Sequence, residues 1–254
     1  MIEVATFFVD LNVEFMGSPG SPATFYRNAA GLMFASVKRV MPSARLVHLT
    51  DMATAKLEAA DEVVRVKQEA QLHDPSSWPR PWGPRVEWGK VDAALATLHA
   101  EHGMRTPGPL VFCDTDIVLN RDLAPLFDDD FDVAVTVREK ALHKRFNMGF
   151  VLSKPTEGAR CFWRAFKTIT AGLPAELHEW WGQQITMAAM LGLESRPNDM
   201  VETFGARVRL LPMAEIVPAP DEEPTAELST YGVHFKGQAR KPWMEGYARR
   251  LGLC

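Results

Sequence analysis

Pro109-Leu110-Val111-Phe112-Cys113-Asp114-Thr115-Asp116-Ile117-Val118 is the stretch on which the fold turns. Leu110 to Cys113 is an unbroken apolar run, as expected of a strand covered on both faces by helices. It ends in two carboxylates one residue apart. Open α/β sheets bind ligands beyond the carboxyl ends of their strands, so Asp114 and Asp116 offer hard oxygen ligands where a divalent ion would sit. The spacing alone is weak: a chain with 14 aspartates supplies about one Asp-x-Asp by chance. Two further matches fall in Asp128-Asp129-Asp130-Phe131-Asp132, which reads as a solvated turn. The apolar strand before Asp114 sets the first pair apart.

Upstream, Val4 to Val9 is another apolar run, closed by Asp10. A loop from Gly17 follows, and Ser21-Pro22 gives a helix cap with proline at the first helical position. That helix is expected to reach about Val40 and stop before Pro42. Arg45–Leu49 and Glu62–Val66 read as strands, with a short helix capped by Asp51 between them. The alternation of strand and helix predicts a doubly wound α/β sheet. Residues 73–87 carry four prolines that forbid regular structure, with Trp78 and Trp82 either walling a pocket or pinning the loop to the core. Trp88–His102 reads as a helix. Downstream, strands are expected at Asp132–Val137, Met148–Leu152, Arg207–Leu211 and Gly232–Phe235. Helices are expected at Pro155–Ala171 and His178–Leu191, and from Pro242 onward.

The chain has 254 residues, and no linker or internal repeat divides it, so one domain over 1–254 is expected. A net charge of −4 and a pI near 6.0 argue against a dedicated nucleic-acid binder. Cys113, Cys161 and Cys254 are odd in number and widely spaced, which fits neither a disulfide framework nor a zinc knuckle. With no evident signal peptide and no apolar stretch long enough to span a bilayer, a cytoplasmic protein without a membrane span is expected.

The second informative stretch is Val233-His234-Phe235-Lys236-Gly237-Gln238-Ala239-Arg240-Lys241-Pro242-Trp243. A neutral imidazole at His234 would complete a metal site. Gly237 lets backbone approach a phosphate, and Lys236, Arg240 and Lys241 supply charge for a diphosphate. The plainer reading is a strand end with surface lysines. His99 and His102 have HxxH spacing but read as two surface histidines. Trp180-Trp181 reads as packing or as a sugar platform. Arg138, Lys140, Lys144 and Arg145 read as a solvated basic loop, or as a patch attracting an anionic acceptor. Gly17-Ser18-Pro19-Gly20 is a poor version of the glycine-rich loop of nucleotidyltransferases.

Two enzyme families end a strand in such an acid pair. Asp114-Thr115-Asp116-Ile117-Val118 fits the haloacid-dehalogenase-type phosphatases, in which Asp114 would be the nucleophile. Against that, three strands precede the motif, and the only aspartates beyond Asp132 are Asp199 and Asp221. The chain more closely resembles glycosyltransferase family 8, which includes glycogenin and bacterial lipopolysaccharide galactosyltransferases. The matches run in order: Lys90-Val91, Asp114-Thr115-Asp116, Phe146-Asn147-Met148-Gly149-Phe150, Gly182-Gln183-Gln184, and His234 to Trp243.

The resemblance implies a GT-A fold: a three-layer α/β/α domain with a mostly parallel central sheet and late antiparallel strands. It implies a metal-dependent transfer from a nucleotide-sugar, a UDP-hexose, to a carbohydrate or other hydroxyl acceptor, with retention of configuration. Asp114, Asp116 and His234 would hold manganese or magnesium. Lys90, Gly237 and Lys241 would face the diphosphate, and Asp10 and Asn12 the uracil and ribose. Asn147 and Gln183 would face the donor sugar. This chain departs from the family in two places. One extra residue before Lys241 lets Arg240 compete for its role, and Gly182 replaces an acid. Glu179, a helical turn before Gln183, is the candidate substitute and reserve nucleophile. A catalytically inactive nucleotide-sugar-binding protein is the non-enzymatic alternative.

Overall fold

The structure is a computed structural model that describes residues 1–9, 22–66, 88–139, 145–174, 177 and 182–253. Its centre is an eight-stranded sheet built from β1 (Glu3–Phe7), β2 (Arg45–Thr50), β3 (Glu62–Arg65), β4 (Leu110–Cys113), β6 (Val133–Val137), β7 (Phe146–Ser153), β8 (Met200–Thr203) and β9 (Ala206–Pro212). The strand order is β3-β2-β1-β4-β7-β6-β9-β8. The first four strands are mutually parallel. β7 runs antiparallel to both β4 and β6, β9 runs parallel to β6, and β8 closes the edge antiparallel to β9. A separate antiparallel pair joins β5 (Ile117–Leu119) to β10 (Gly232–His234). This is the expected architecture.

The continuous apolar runs are explained by two covered faces. Leu110 and Phe112 point to one core and Val111 and Cys113 to the other, as strand alternation requires. Helix α1 (Pro22–Val40) covers the second face with Ala30, Met33, Phe34 and Val37, a helical stripe. Helices α2 (Trp88–Arg105), α3 (Glu157–Ala171) and α4 (Gly182–Leu191) cover the first. Trp163 of α3 fills that layer edge-on to Phe112, with ring centroids 5.2 Å apart. Thr156 caps α3 by accepting from the Ala159 amide at 3.1 Å. Two short elements complete the path: α5 (Met213–Ile216) and α6 (Lys241–Arg250). Among the described residues, no helix is long and apolar enough to cross a membrane.

The 128–132 cluster is the solvated turn expected: Asp128 to Asp130 stay exposed, with Asp129 pairing with Arg209 and Asp130 with Arg207 at the surface. Two expectations change. The short helix after Asp51 is a turn, because the Asp51 carboxylate accepts from the Thr54 amide at 2.7 Å and satisfies the backbone locally. His99 and His102 are not on the surface. His99 is buried against Phe112, with ring centroids 4.3 Å apart, and His102 pairs with Glu3. Each imidazole has its own partner, so the HxxH spacing does not form a metal site with them.

Candidate active site

Backbone bonding fixes the acid pair. The Asp114 amide, one residue beyond β4, donates to the Gly149 carbonyl of β7 at 2.7 Å. The Asp114 carbonyl then accepts from Ile117 at 3.2 Å, closing a tight turn that leads straight into β5. β10 pairs with β5 so that His234 stands opposite Ile117. The Phe235 amide donates to the Asp116 carbonyl at 2.8 Å, and the His234 amide to Pro218 at 2.9 Å. A histidine far downstream is thereby fixed beside Asp114 and Asp116.

β7 contributes a second device. Its pairing with β6 jumps from Val135↔Val151 to Thr136↔Asn147, leaving residues 148–150 as a bulge toward β4. The buried Thr136 hydroxyl lies 3.1 Å from the Asn147 carbonyl and 3.0 Å from that of Phe150, and so spans the bulge. The bulge carries Gly149 under the site. A Cβ there would stand 2.7 Å from Asp114 Cγ and 2.9 Å from His234 Cε1, so only glycine fits this approach.

The ligand atoms of Asp114, Asp116 and His234 all lie within 4.8 Å of one another. His234 Nε2 is 3.6 Å from Asp114 Oδ2 and 3.1 Å from Asp116 Oδ1, the latter out of hydrogen-bond alignment. Both ring nitrogens are buried without a hydrogen-bond partner. Asp116 is buried as well, whereas the Asp114 side chain is 47% exposed and opens outward. A buried imidazole with both nitrogens unsatisfied is costly unless something else binds it. Two carboxylates and one imidazole nitrogen suit manganese or magnesium, so the residues fit a divalent cation.

The electrostatics separate the two acids. Loss of hydration and the neighbouring Asp116 charge push Asp114 above the usual carboxylate range. Burial acts on Asp116 in the same sense, but the His234 ring and the Lys241 ammonium outweigh it and hold Asp116 well below that range. Lys241, at the start of α6, pairs with Asp116 Oδ2 and lies 5.0 Å over the Tyr26 ring.

The turn before α6 splits the two candidate cations. Arg240 turns away from the acids. Its guanidinium donates to the Pro220 carbonyl and to the Lys236 carbonyl (3.0 Å), and reaches Asp221 at 3.4 Å. Lys241 alone of the two lies against the acid pair. Gly237 has φ +87°, a conformation that favours glycine.

The remaining sequence candidates fall into two groups. Asn147 is fully buried at the start of β7; its Nδ2 donates to Thr136 Oγ1 at 3.3 Å, and its Oδ1 is buried without a partner. Gln183 is buried on α4, with Oε1 3.1 Å from His99 Nδ1. Asp10, Asn12 and Glu179 lie outside the described residues, as do the loop 73–87 and Trp180-Trp181. Lys90 belongs to the first turn of α2, but its side chain is likewise outside the described residues. Sequence reasoning missed the β5–β10 pairing and the β7 bulge. Glycine within the apolar run Phe146–Leu152 was the one available sign of the bulge.

No protein-family model matches the sequence, and a comparison with curated proteins finds no match. Solved structures do match. The galactosyltransferase LgtC, in complex with donor and acceptor sugar analogs, superposes with a TM-score of 0.55 at 12% identity, over 99% of this chain and 94% of that one. A glycosyltransferase involved in glycosylating the major capsid of PBCV-1 gives 0.53 at 8% identity, over 96% and 97%. The bifunctional WbbM gives 0.50 at 12%, covering 99% of this chain and 51% of that one. The fold of this chain is that of GT-A glycosyltransferases, with the acid pair at the end of the fourth strand.

Proposed function

We propose that this protein is a metal-dependent glycosyltransferase that moves a hexose from a UDP-sugar to a hydroxyl acceptor, with retention of configuration. The observation that carries this reading is the convergence of Asp114, Asp116 and the otherwise unpartnered His234 imidazole at the carboxyl edge of β4, in this fold.

Asp114, Asp116 and His234 would hold manganese or magnesium, which supplies positive charge to the leaving diphosphate. Lys241 adds a fixed cation beside it, and Gly237 allows backbone to approach the phosphates. Asn147 of β7 and Gln183 of α4 are the proposed contacts to the donor sugar. Lys90, Asp10 and Asn12 are the proposed contacts to diphosphate, ribose and uracil, with Glu179 the reserve acid. In the transfer, the bond from the sugar C1 to the diphosphate oxygen breaks and a bond from C1 to the acceptor oxygen forms. The acceptor's hydroxyl proton passes to the departing diphosphate. The Asp114 and Asp116 carboxylates would be committed to the metal. Attack then comes from the side of the leaving group, through an oxocarbenium-like state, with Glu179 held in reserve as a nucleophile.

The phosphatase reading needs a later acid pair for magnesium. Asp199 instead accepts from the Arg196 amide at 2.7 Å in its own loop, and Asp221 pairs with Arg240. Incubation with UDP-glucose or UDP-galactose and manganese should release UDP and no inorganic phosphate. Release of phosphate, or failure of UDP to bind in the presence of manganese, would overturn the proposal.

A further inference from the structure

One cation beside the site, Arg138, has no part in the reaction as described. Arg138 is the first residue beyond β6, where its amide donates to the Arg145 carbonyl at 2.8 Å and closes the β6–β7 connection. Its guanidinium makes one long side-chain hydrogen bond, Nη2 to the Phe146 carbonyl at 3.4 Å. Its Nε is buried with no hydrogen-bond partner. Among the described residues, no carboxylate pairs with it. Burial costs this group enough to lower its proton affinity from the ordinary arginine value.

Lys236, the first residue of the turn to α6 after Phe235, is offset by the Asp114 and Asp116 carboxylates. Arg138 has no such counter-charge among the described residues, a costly arrangement for a partly buried guanidinium and one that an incoming anion relieves.

The strand order says which substrate would bring that anion. From β1 the sheet runs to β4, then β7, then β6. The proposed nucleotide contacts follow β1, the metal ligands follow β4, and Asn147 opens β7. Arg138 follows β6, next in line beyond the sugar position. The donor's own charge would lie two strands away, at the end of β4, where Lys241 and the metal ligands would face it.

We propose that Arg138 forms an anion-binding subsite for the acceptor, so that the hydroxyl accepting the sugar belongs to a molecule bearing a carboxylate or phosphate. The planar guanidinium suits either group bidentately. This inference rests on the glycosyltransferase reading of the site.

The test uses the full chain saturated with UDP and manganese, into which glucose, glucuronate and glucose 6-phosphate are titrated by calorimetry. One or both charged sugars should bind at least about tenfold tighter than glucose, a ratio expected of one charge-assisted contact. Arg138→Gln should erase that preference while changing UDP–manganese affinity less than about twofold, and Arg138→Lys should keep part of it. The two charged probes distinguish carboxylate from phosphate. If UDP with manganese does not bind the wild-type protein, the glycosyltransferase reading fails and takes this one with it. If UDP binds but charged and neutral sugars bind alike, or if the preference survives Arg138→Gln, the acceptor subsite alone is overturned. A loss of UDP affinity in Arg138→Gln would move the residue to the donor and overturn it equally.

Discussion

Asp114 and Gly149 meet twice: the Asp114 amide donates to the Gly149 carbonyl at 2.7 Å, and the Asp114 carboxylate lies where a Gly149 side chain would be. The β7 bulge, the end of β4 and His234 therefore share one small volume. Gly149→Ala should push the Asp114 carboxylate and the His234 ring off their positions. The overpacking should cost about 1–3 kcal/mol of stability. Manganese-dependent UDP affinity should fall about tenfold or more, as when groups supporting a metal ligand are disturbed. Denaturant unfolding and UDP titration with manganese check both numbers. Unchanged UDP affinity in a folded variant would mean that Asp114 does not bind metal from this position.

Asp116 is a buried partner of Lys241 as well as a candidate ligand. Its removal should affect stability, unlike that of an exposed strand-end carboxylate. Asp116→Ala should abolish manganese-dependent UDP binding and transfer. It should also destabilise the fold by about 3–5 kcal/mol, because the buried Lys241 ammonium loses its Asp116 carboxylate. The double variant Asp116→Ala/Lys241→Met should regain most of the stability and none of the binding. Equal destabilisation in the single and double variants would show that the pair is not coupled.

Two buried histidines should make the protein acid-sensitive. His48 donates from Nε2 to the Phe8 carbonyl at 2.9 Å and accepts at Nδ1 from the Leu57 amide at 3.2 Å, an arrangement that requires the neutral ring. Burial, helped by Arg65 and Arg27, lowers its pKa to about 4. Burial lowers that of His99 to about 3, with His102 adding to the effect and the Gln183 contact opposing it. Since both values lie below that of an unfolded histidine, about 6.5, the unfolded chain binds the protons first. The stabilisation is complete above pH 6.5 and is lost as the pH falls through 6.5 toward 4 and 3. Each residue should contribute about 1–2 kcal/mol of that loss by pH 5. Urea unfolding at pH 7 and pH 5 measures it. His48→Asn should shrink the pH difference even if it lowers stability at both values.

The strands that carry the site were legible because burial on both faces leaves an unbroken apolar run, as in Leu110–Cys113. The bounds of α1 were set by Pro22 and Pro42. β5 was not legible as a strand. It has three residues, and its partner Gly232–His234 comes more than a hundred positions later, so no local pattern announces the pairing. The bulge that presents Gly149 is likewise a relation among three strands. β8 was missed because an edge strand, Met200-Val201-Glu202-Thr203, lacks the apolar run that marks a covered one. The HxxH histidines misled because spacing on a helix does not reveal burial, and α2 turns both toward the sheet.

The last prediction separates Arg240 from Lys241, which sequence left competing for one role. Three like charges at Lys236, Arg240 and Lys241 suggest a turn that is loose until phosphate arrives. The structure provides counter-contacts instead: Arg240 gathers the carbonyls of Pro220 and Lys236, and Lys241 is neutralised by Asp116. The turn is therefore held by Arg240 through the Pro220 and Lys236 carbonyls and by Lys241 through Asp116, with Gly237 near its start at φ +87°. Removing Arg240 frees the segment without removing charge from the phosphate position. Arg240→Ala should raise hydrogen exchange across 236–241 about tenfold or more, since local opening then costs less. It should weaken UDP–manganese binding only through the cost of ordering the turn, with the salt dependence of binding unchanged. Lys241→Met should do the reverse, flattening the salt dependence by removing a cation that meets the diphosphate. If Arg240→Ala instead flattens the salt dependence while Lys241→Met leaves it intact, the phosphate role belongs to Arg240, and the turn must rearrange when the donor binds.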